Sequence, residues 1–183
     1  FKVCDEATCY RPTTEAADDQ AIPTRAGTFY VLETPDEYYV KWFYQADNEA
    51  KTFTTSYRVE NAATIHADVA EMYWQWIGAA WEEAQNNVTI SLELPAGIDG
   101  QQLQAWAHGP LTGRVAIPTA DKVTFSVPRV RAGEYFEGRV LLPKSAVLSG
   151  AGGTSTRESI QRQEAGYIAD TERRKEQQAV LAS

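Results

Sequence analysis

Two cysteines, two histidines and one methionine are all that 183 residues supply of those types. A zinc framework needs more than two thiols, and no histidine neighbours Cys4 or Cys9 in sequence, so a metal set built on them is incomplete. Multi-disulfide scaffolds are excluded for the same reason. No run of about 18 apolar residues occurs, so no transmembrane helix lies inside the chain. Lys and Arg total 17 against 25 Asp and Glu, a net charge of −8. That balance excludes a nucleic-acid footprint, which needs clustered basic residues, and disfavours adhesion to anionic lipid. The start, FKVCDEATCY, has neither a basic opening nor an apolar stretch, and it is not a methionine. We expect either a removed leader or a piece of a longer protein.

What is present is a strand-rich domain. Apolar residues make up 43% of the chain, enough for a sizeable core. Residues 1–27 read as irregular: TTEAADDQ (13–20) is polar, and Pro12 and Pro23 interrupt any regular element. From Thr28, TFYVLE and EYYVKWFYQ read as strands separated by a turn at Thr34-Pro35-Asp36. The next turn, Asp47-Asn48-Glu49, leads into KTFTTSYRVE, which predicts a second strand of a hairpin. Residues 67–85 are ambiguous. Ala70, Tyr73, Trp74, Ile77 and Trp81 have helical spacing, whereas Met72, Trp74 and Trp76 alternate. A short helix or irregular aromatic segment is the expectation there.

After Asn86-Asn87, VTISLELP sets Val88, Ile90, Leu92 and Leu94 on one face and ends at Pro95. LQAWAHG, GRVAIP, KVTFSVP and EGRVLLP follow, each closed by Gly or Pro. This rhythm predicts a mainly β, antiparallel β-sandwich-like domain over residues 28–145. The Gly/Ser/Thr-rich composition around SGAGGTSTR (149–157) marks a linker, bounded at 146–154. Residues 155–183 hold no proline and carry Glu158 with Arg162 and Asp170 with Arg174 at i, i+4 spacing. They predict a charged C-terminal helix whose sparse apolar residues dock on one side only.

Catalytic groupings are absent from the linear sequence. There is no G-x-S-x-G, no H-E-x-x-H and no phosphate loop, since Gly150-Ala151-Gly152-Gly153-Thr154 lacks the following lysine. His66, with Asp68 and Glu71 close by, reads as an exposed turn histidine, and His108 as the end of a strand. Adjacent acids such as Asp18/Asp19, Asp36/Glu37 and Glu82/Glu83 read as surface charge. No catalytic residue, metal ligand or cofactor is assigned. Trp74, Trp76, Trp81 and Trp106 admit two readings, core aromatics or a platform for flat ligands such as sugars. Cys4 and Cys9 form a small disulfide loop or remain thiols.

The segment SYRVENAATIHADVAEMYWQWIGAAW, followed by VTISLELP, LQAWAHG and EGRVLLP, resembles the extracytoplasmic domain of predicted bacterial membrane proteins, domain-of-unknown-function family 2207. The residues carrying the resemblance are Ser56, Tyr57, Val59, Asp68, Glu71, Tyr73, Trp74, Gly78, Trp81, Leu94 and Pro95. It spans about residues 28–145, and residues 1–27 depart from the strand region with which such domains open. The resemblance implies an outward-facing β-sandwich joined by a charged helix to transmembrane helices outside this chain. It transfers no catalytic residue. Its expected role is non-enzymatic sensing or interaction with a protein or cell-envelope component. The alternative is a carbohydrate or cell-wall binding module.

Overall fold

In a computed structural model, residues 1–14, 25–35 and 37–181 are described, without the side chains of residues 178 and 181. The acidic segment with Asp18, Asp19 and Pro23, and Asp36 of the first turn, lie outside the described residues. The chain divides into two compact units, Phe1–Val59 and Glu60–Ser183. The division falls within the stretch 28–145 that the strand rhythm reads as one domain.

The first unit contains β1 (Lys2–Cys4), β2 (Arg11–Pro12), β3 (Thr28–Glu33), β4 (Tyr38–Phe43) and β5 (Thr54–Ser56). Residues 1–27 are therefore not wholly irregular. Val3 and Tyr10 are buried with Phe29, and Val31, Val40, Trp42 and Phe53 close over them. This apolar anchoring of the leading segment is what its polar composition hides. The hairpin is β3–β4, turning at Thr34, where the Glu37 N–H donates to Oγ1 of Thr34. The expected hairpin across Asp47-Asn48-Glu49 does not form: β5 pairs with β1 instead. Cys4 and Cys9 are joined by a disulfide that closes the short loop between β1 and β2.

The second unit is a sandwich with a helix laid on its outer face. One sheet has the order β13-β6-β7-β12-β9, from β6 (Ala63–Ile65), β7 (Ala70–Ile77), β9 (Gln104–His108), β12 (Phe136–Leu142) and β13 (Ala151–Gly152). The other has the order β10-β11-β8, from β8 (Gln85–Glu93), β10 (Arg114–Thr119) and β11 (Lys122–Val130). Between them lies the main core: Val123, Phe125 and Val127 of β11 meet Ala70, Phe136, Val140 and Leu142, with Trp76, Val88, Ile90 and Leu92 at its margin. Each large side chain buried there contributes about 1.5–3 kcal/mol of transfer free energy.

Residues 70–77 form a strand, which corrects the expected helix or irregular segment. Helical spacing there is coincidental; the alternation of Ala70, Met72 and Trp76 toward the core decides it, together with pairing to both β6 and β12. Gly138 on β12 is required by that arrangement. A Cβ there would lie 2.5 Å from the Trp76 ring and 2.6 Å from the Phe125 ring.

The expected free linker at 146–154 is likewise docked. Its Ala151–Gly152 pairs in parallel with β6, and the Gly153 N–H donates to the Ile65 carbonyl at 2.9 Å. The helix α1 (Arg157–Leu181) follows. Thr156 and Ser159 cap its start reciprocally: the Ser159 N–H donates to Thr156 Oγ1 at 3.2 Å and the Thr156 N–H to Ser159 Oγ at 3.0 Å. Ile160 is buried against Val69, Leu141 and Trp106. Among the described side chains, the remaining apolar residues of α1 form no stripe, and Tyr167 and Ile168 are exposed.

Candidate functional site

Strand parity builds the site. On β7, β12 and β9, one set of alternate residues enters the sandwich core. The other set, Glu71 and Tyr73, Glu137, Arg139 and Leu141, and Gln104, Trp106 and His108, faces the opposite side, where α1 lies. The apolar members of this second face are few, so α1 is held largely by charge.

Arg139 sits at the centre, 7% exposed. Its Nε donates to Glu71 Oε1, and its Nη1 donates to Glu164 Oε1 at 2.8 Å and to Gln163 Oε1 at 2.7 Å. Glu71 is 7% exposed and Glu164, from the helix, 1%. The second oxygen of each carboxylate is also engaged. Glu71 Oε2 lies 2.6 Å from His66 Nε2, and Glu164 Oε2 lies 2.8 Å from His108 Nε2. Ionised carboxylates only accept, so both imidazoles carry hydrogen on Nε2. At the far end, the Tyr73 hydroxyl donates to Glu137 Oε1, which lies 3.5 Å from His108 Nδ1. The Arg139 guanidinium also covers the Tyr73 ring, 5.1 Å from its centroid.

The result is one polar chain, His66–Glu71–Arg139–Glu164–His108–Glu137–Tyr73, between sheet and helix. Burial alone would push the Glu164 carboxyl up, but hydrogen bonds from His108 and Arg139 outweigh it and hold it below the usual range. Burial opposes the Arg139 charge, yet the bonds to Glu164 and Glu71 leave the guanidinium more firmly protonated than usual. Burial and the bond to Glu137 raise the Tyr73 hydroxyl above its ordinary value. Within this cluster, Gln163 and Glu164 are the members that α1 contributes, joined to Arg139 and His108 of the sheet.

His66 is buried, which corrects the expected exposed turn histidine. Its Nδ1 has no hydrogen-bond partner among the described residues. A Cβ at Gly153 would stand 2.2 Å from that atom, so the docked glycine segment seals it from one side. His108 closes β9 as expected but points its chemistry at α1. Asp68 accepts from the Arg157 N–H at 2.8 Å at the start of the helix, apart from the histidine pair. Among the described residues, no group of three His, Cys, Asp or Glu side chains is set to hold a metal ion.

The four tryptophans singled out in the sequence are dispersed. Trp76 packs on Phe125 and Phe136 at the core. Trp106 lies on the opposite face of the same sheet, under Ile160. Trp74 is half-buried, and Trp81, 52% exposed, stands in the loop after β7. The ionic cluster was missed because β7 was not read as a strand. Once it is, the offset of Glu71 and Tyr73 from Ala70 and Met72, and of Glu137 and Arg139 from Val140 and Leu142, marks a polar second face on adjacent strands.

A family model described as predicted membrane protein (DUF2207) N-terminal domain matches residues 7–142, well over half of the chain. The match includes part of the leading segment and ends with β12. No curated protein and no solved structure matches the chain. Among the described residues, no helix is long and apolar enough to cross a membrane. The chain belongs to the DUF2207 family of predicted membrane protein N-terminal domains.

Proposed function

We propose that this chain is the extracytoplasmic part of a bacterial membrane protein and works as a non-enzymatic sensing or protein-interaction module, with α1 as the element that passes its state on. Transmembrane helices outside this chain would receive that state. The observation that carries the reading is the way α1 is held. One buried isoleucine and a buried ionic cluster fix its first turns, and among the described side chains no continuous apolar stripe seals the rest. A helix fixed in this way is a two-position element. It docks when Glu164 meets Arg139 and His108, and it is released when that geometry is disturbed, without dismantling the sandwich core.

The non-enzymatic part of the reading rests on the saturation of the two most buried carboxylates, Glu71 and Glu164. All four carboxylate oxygens of Glu71 and Glu164 are engaged by protein donors. None is left to activate a nucleophile. The extracytoplasmic assignment is supported by the Cys4–Cys9 disulfide, since such bonds persist in oxidising compartments.

Hydrogen exchange on the full chain tests the relay. Amides of residues 157–167 should be protected in the native protein and lose that protection in Glu164→Ala, while β11 and β12 keep theirs. Equal protection of helix and strands in both proteins would make α1 an integral part of the fold and end the relay reading. The location is tested in the full-length membrane protein with Trp81→Cys and a membrane-impermeant maleimide applied to intact cells. Labelling only after lysis would place the domain on the inner side.

A further inference from the structure

Beside the ionic cluster, a cavity of about 400 Å³ opens between α1 and the end of the sheet. Its walls include Tyr73, His108, Tyr135, Glu137, Tyr167 and Arg174. The size falls in the range of small-ligand sites, which span roughly 300–1,000 Å³. Its chemistry is divided along the helix axis. The acid end is formed by Glu137, beside the Tyr73 and Tyr167 rings. Both contacts of Glu137, to Tyr73 and to His108, are made through Oε1. Among the described residues, Oε2 has no protein donor.

The basic end is formed by Arg174. Its Nε reaches the Asp170 carbonyl at 3.4 Å, and its two terminal nitrogens have no acceptor among the described residues. Neighbouring charges are already matched: Lys175 pairs with Glu172 at 3.0 Å, and Arg173 pairs with Asp170. The two ends are set apart by the helix. Glu137 and Tyr167 both border His108, which lies 3.5 Å from Glu137 Oε1 and whose ring is 5.6 Å from that of Tyr167. Arg174 follows seven residues later, about 10 Å along a helix rising 1.5 Å per residue.

An amine recognises a carboxylate flanked by aromatic rings, and a carboxylate recognises a guanidinium fork. A ligand about 10 Å from amine to carboxylate is too long for a single amino acid. At roughly 3.3–3.6 Å per extended residue, it corresponds to a peptide of two to three residues. We propose that this cavity binds a short peptide with free termini, its amino group at Glu137 and its carboxylate at Arg174. The proposal deepens the sensing reading and rests on it in one respect only: a ligand touching both Tyr167 and Glu137 couples occupancy to the docking of α1.

The test is calorimetric titration of the full chain with trialanine, N-acetyl-trialanine and trialanine amide. Trialanine should bind, and each capped form should bind at least about tenfold more weakly. Arg174→Gln should reduce the penalty for the amide, and Glu137→Gln the penalty for the acetylated form. Arg174 is exposed, so its variant folds irrespective of the outcome. Equal binding of free and capped peptides, or no binding of trialanine at millimolar concentration, would overturn the proposal. Hydrogen exchange of α1 with saturating trialanine separates the two readings. Binding without added protection of residues 157–175 leaves the ligand and removes the coupling. Absence of binding, with α1 still released by Glu164→Ala, removes the ligand and leaves the relay.

Discussion

Replacing Arg139 by methionine would strand two carboxylates. The side chain keeps most of its length but loses the charge that bridges Glu71 and Glu164, which are 7% and 1% exposed. Breaking a buried ion pair by removing one partner costs about 3–5 kcal/mol, because the other charge stays buried without compensation. A domain of this size has roughly 5–15 kcal/mol in total, so the variant should fold with a melting temperature lower by ~10–20 °C. The sharper expectation concerns Glu164→Gln. In the native background it removes a charge-assisted hydrogen bond and should cost about 1.5–3 kcal/mol. In the Arg139→Met background the same change removes a buried charge that has lost its guanidinium counter-ion and keeps only His108, so it should stabilise. The sign reversal is a coupling that only contacting groups show. Urea unfolding followed by tryptophan fluorescence reads it, since Trp74, Trp76, Trp81 and Trp106 all lie in the second unit. If Glu164→Gln destabilises both backgrounds by the same amount, or if Arg139→Met costs under about 1 kcal/mol, the buried-cluster reasoning is wrong.

Acid should release the helix before it unfolds the sandwich. The Glu164 carboxyl is held below its ordinary value of 4.5. Its contribution is therefore full above that value and is lost as pH falls through the lower folded one. Helix protection measured by hydrogen exchange should fall off below about pH 4.5 in the native chain and should not do so at that point in Glu164→Gln. Of the nine tyrosines, Tyr10 and Tyr73 should ionise late in an alkaline ultraviolet titration, together with Tyr38, which its bond to Glu33 raises. Burial and the bond to Asp5 push Tyr10 to about 12, and Tyr73 is raised by burial and Glu137. Both raised values mean stability that is intact below pH 10 and lost as pH rises beyond it; a Tyr73→Phe variant should lack one late step. Gly138→Ala should cost about 1–3 kcal/mol in urea unfolding, as an overpacked core does, because its methyl group meets two aromatic rings. A neutral effect would mean that Trp76 yields more easily than its place between Phe125 and Phe136 implies.

The sandwich strands were legible where one face is apolar and the other polar. VTISLELP places Val88, Ile90 and Leu92 against the core with Thr89, Ser91 and Glu93 exposed, as the structure has them. The helix at 157–181 was legible from composition, and its Glu158–Arg162 pair is present at 2.7 Å. Asp170 instead pairs through its side chain with Arg173. What escaped has a common physical cause. β7 carries aromatic residues on both faces, Trp76 on one and Tyr73 on the other, so its period is blurred. β1 is three residues long, and β5 pairs with β1 across about fifty residues. The glycine-rich stretch at 150–153 has flexible composition but docks where its missing side chains allow close approach to Ala63 and His66. Contacts of this kind depend on partners remote in sequence, which local patterns do not record.

The ionic cluster illustrates the same limit from the side of function. Its members come from β6–β7, β9, β12 and α1, separated by up to about a hundred residues, so no spacing rule could have assembled them. Their joint presence on one face also explains why α1 needs so little apolar surface. An apolar stripe would have held the helix more strongly and with less selectivity, since hydrophobic contact is non-directional. Two carboxylates, one guanidinium and two imidazoles favour one register of α1 on the sheet, because all four oxygens of Glu71 and Glu164 are met by directional bonds. The cost is sensitivity: protonation of Glu164, or displacement of Arg139 or His108 from it, disturbs the bonds that seat the helix. If α1 relays the state of the domain, as we propose, one seat set by directional polar bonds serves it better than a face sealed into the core.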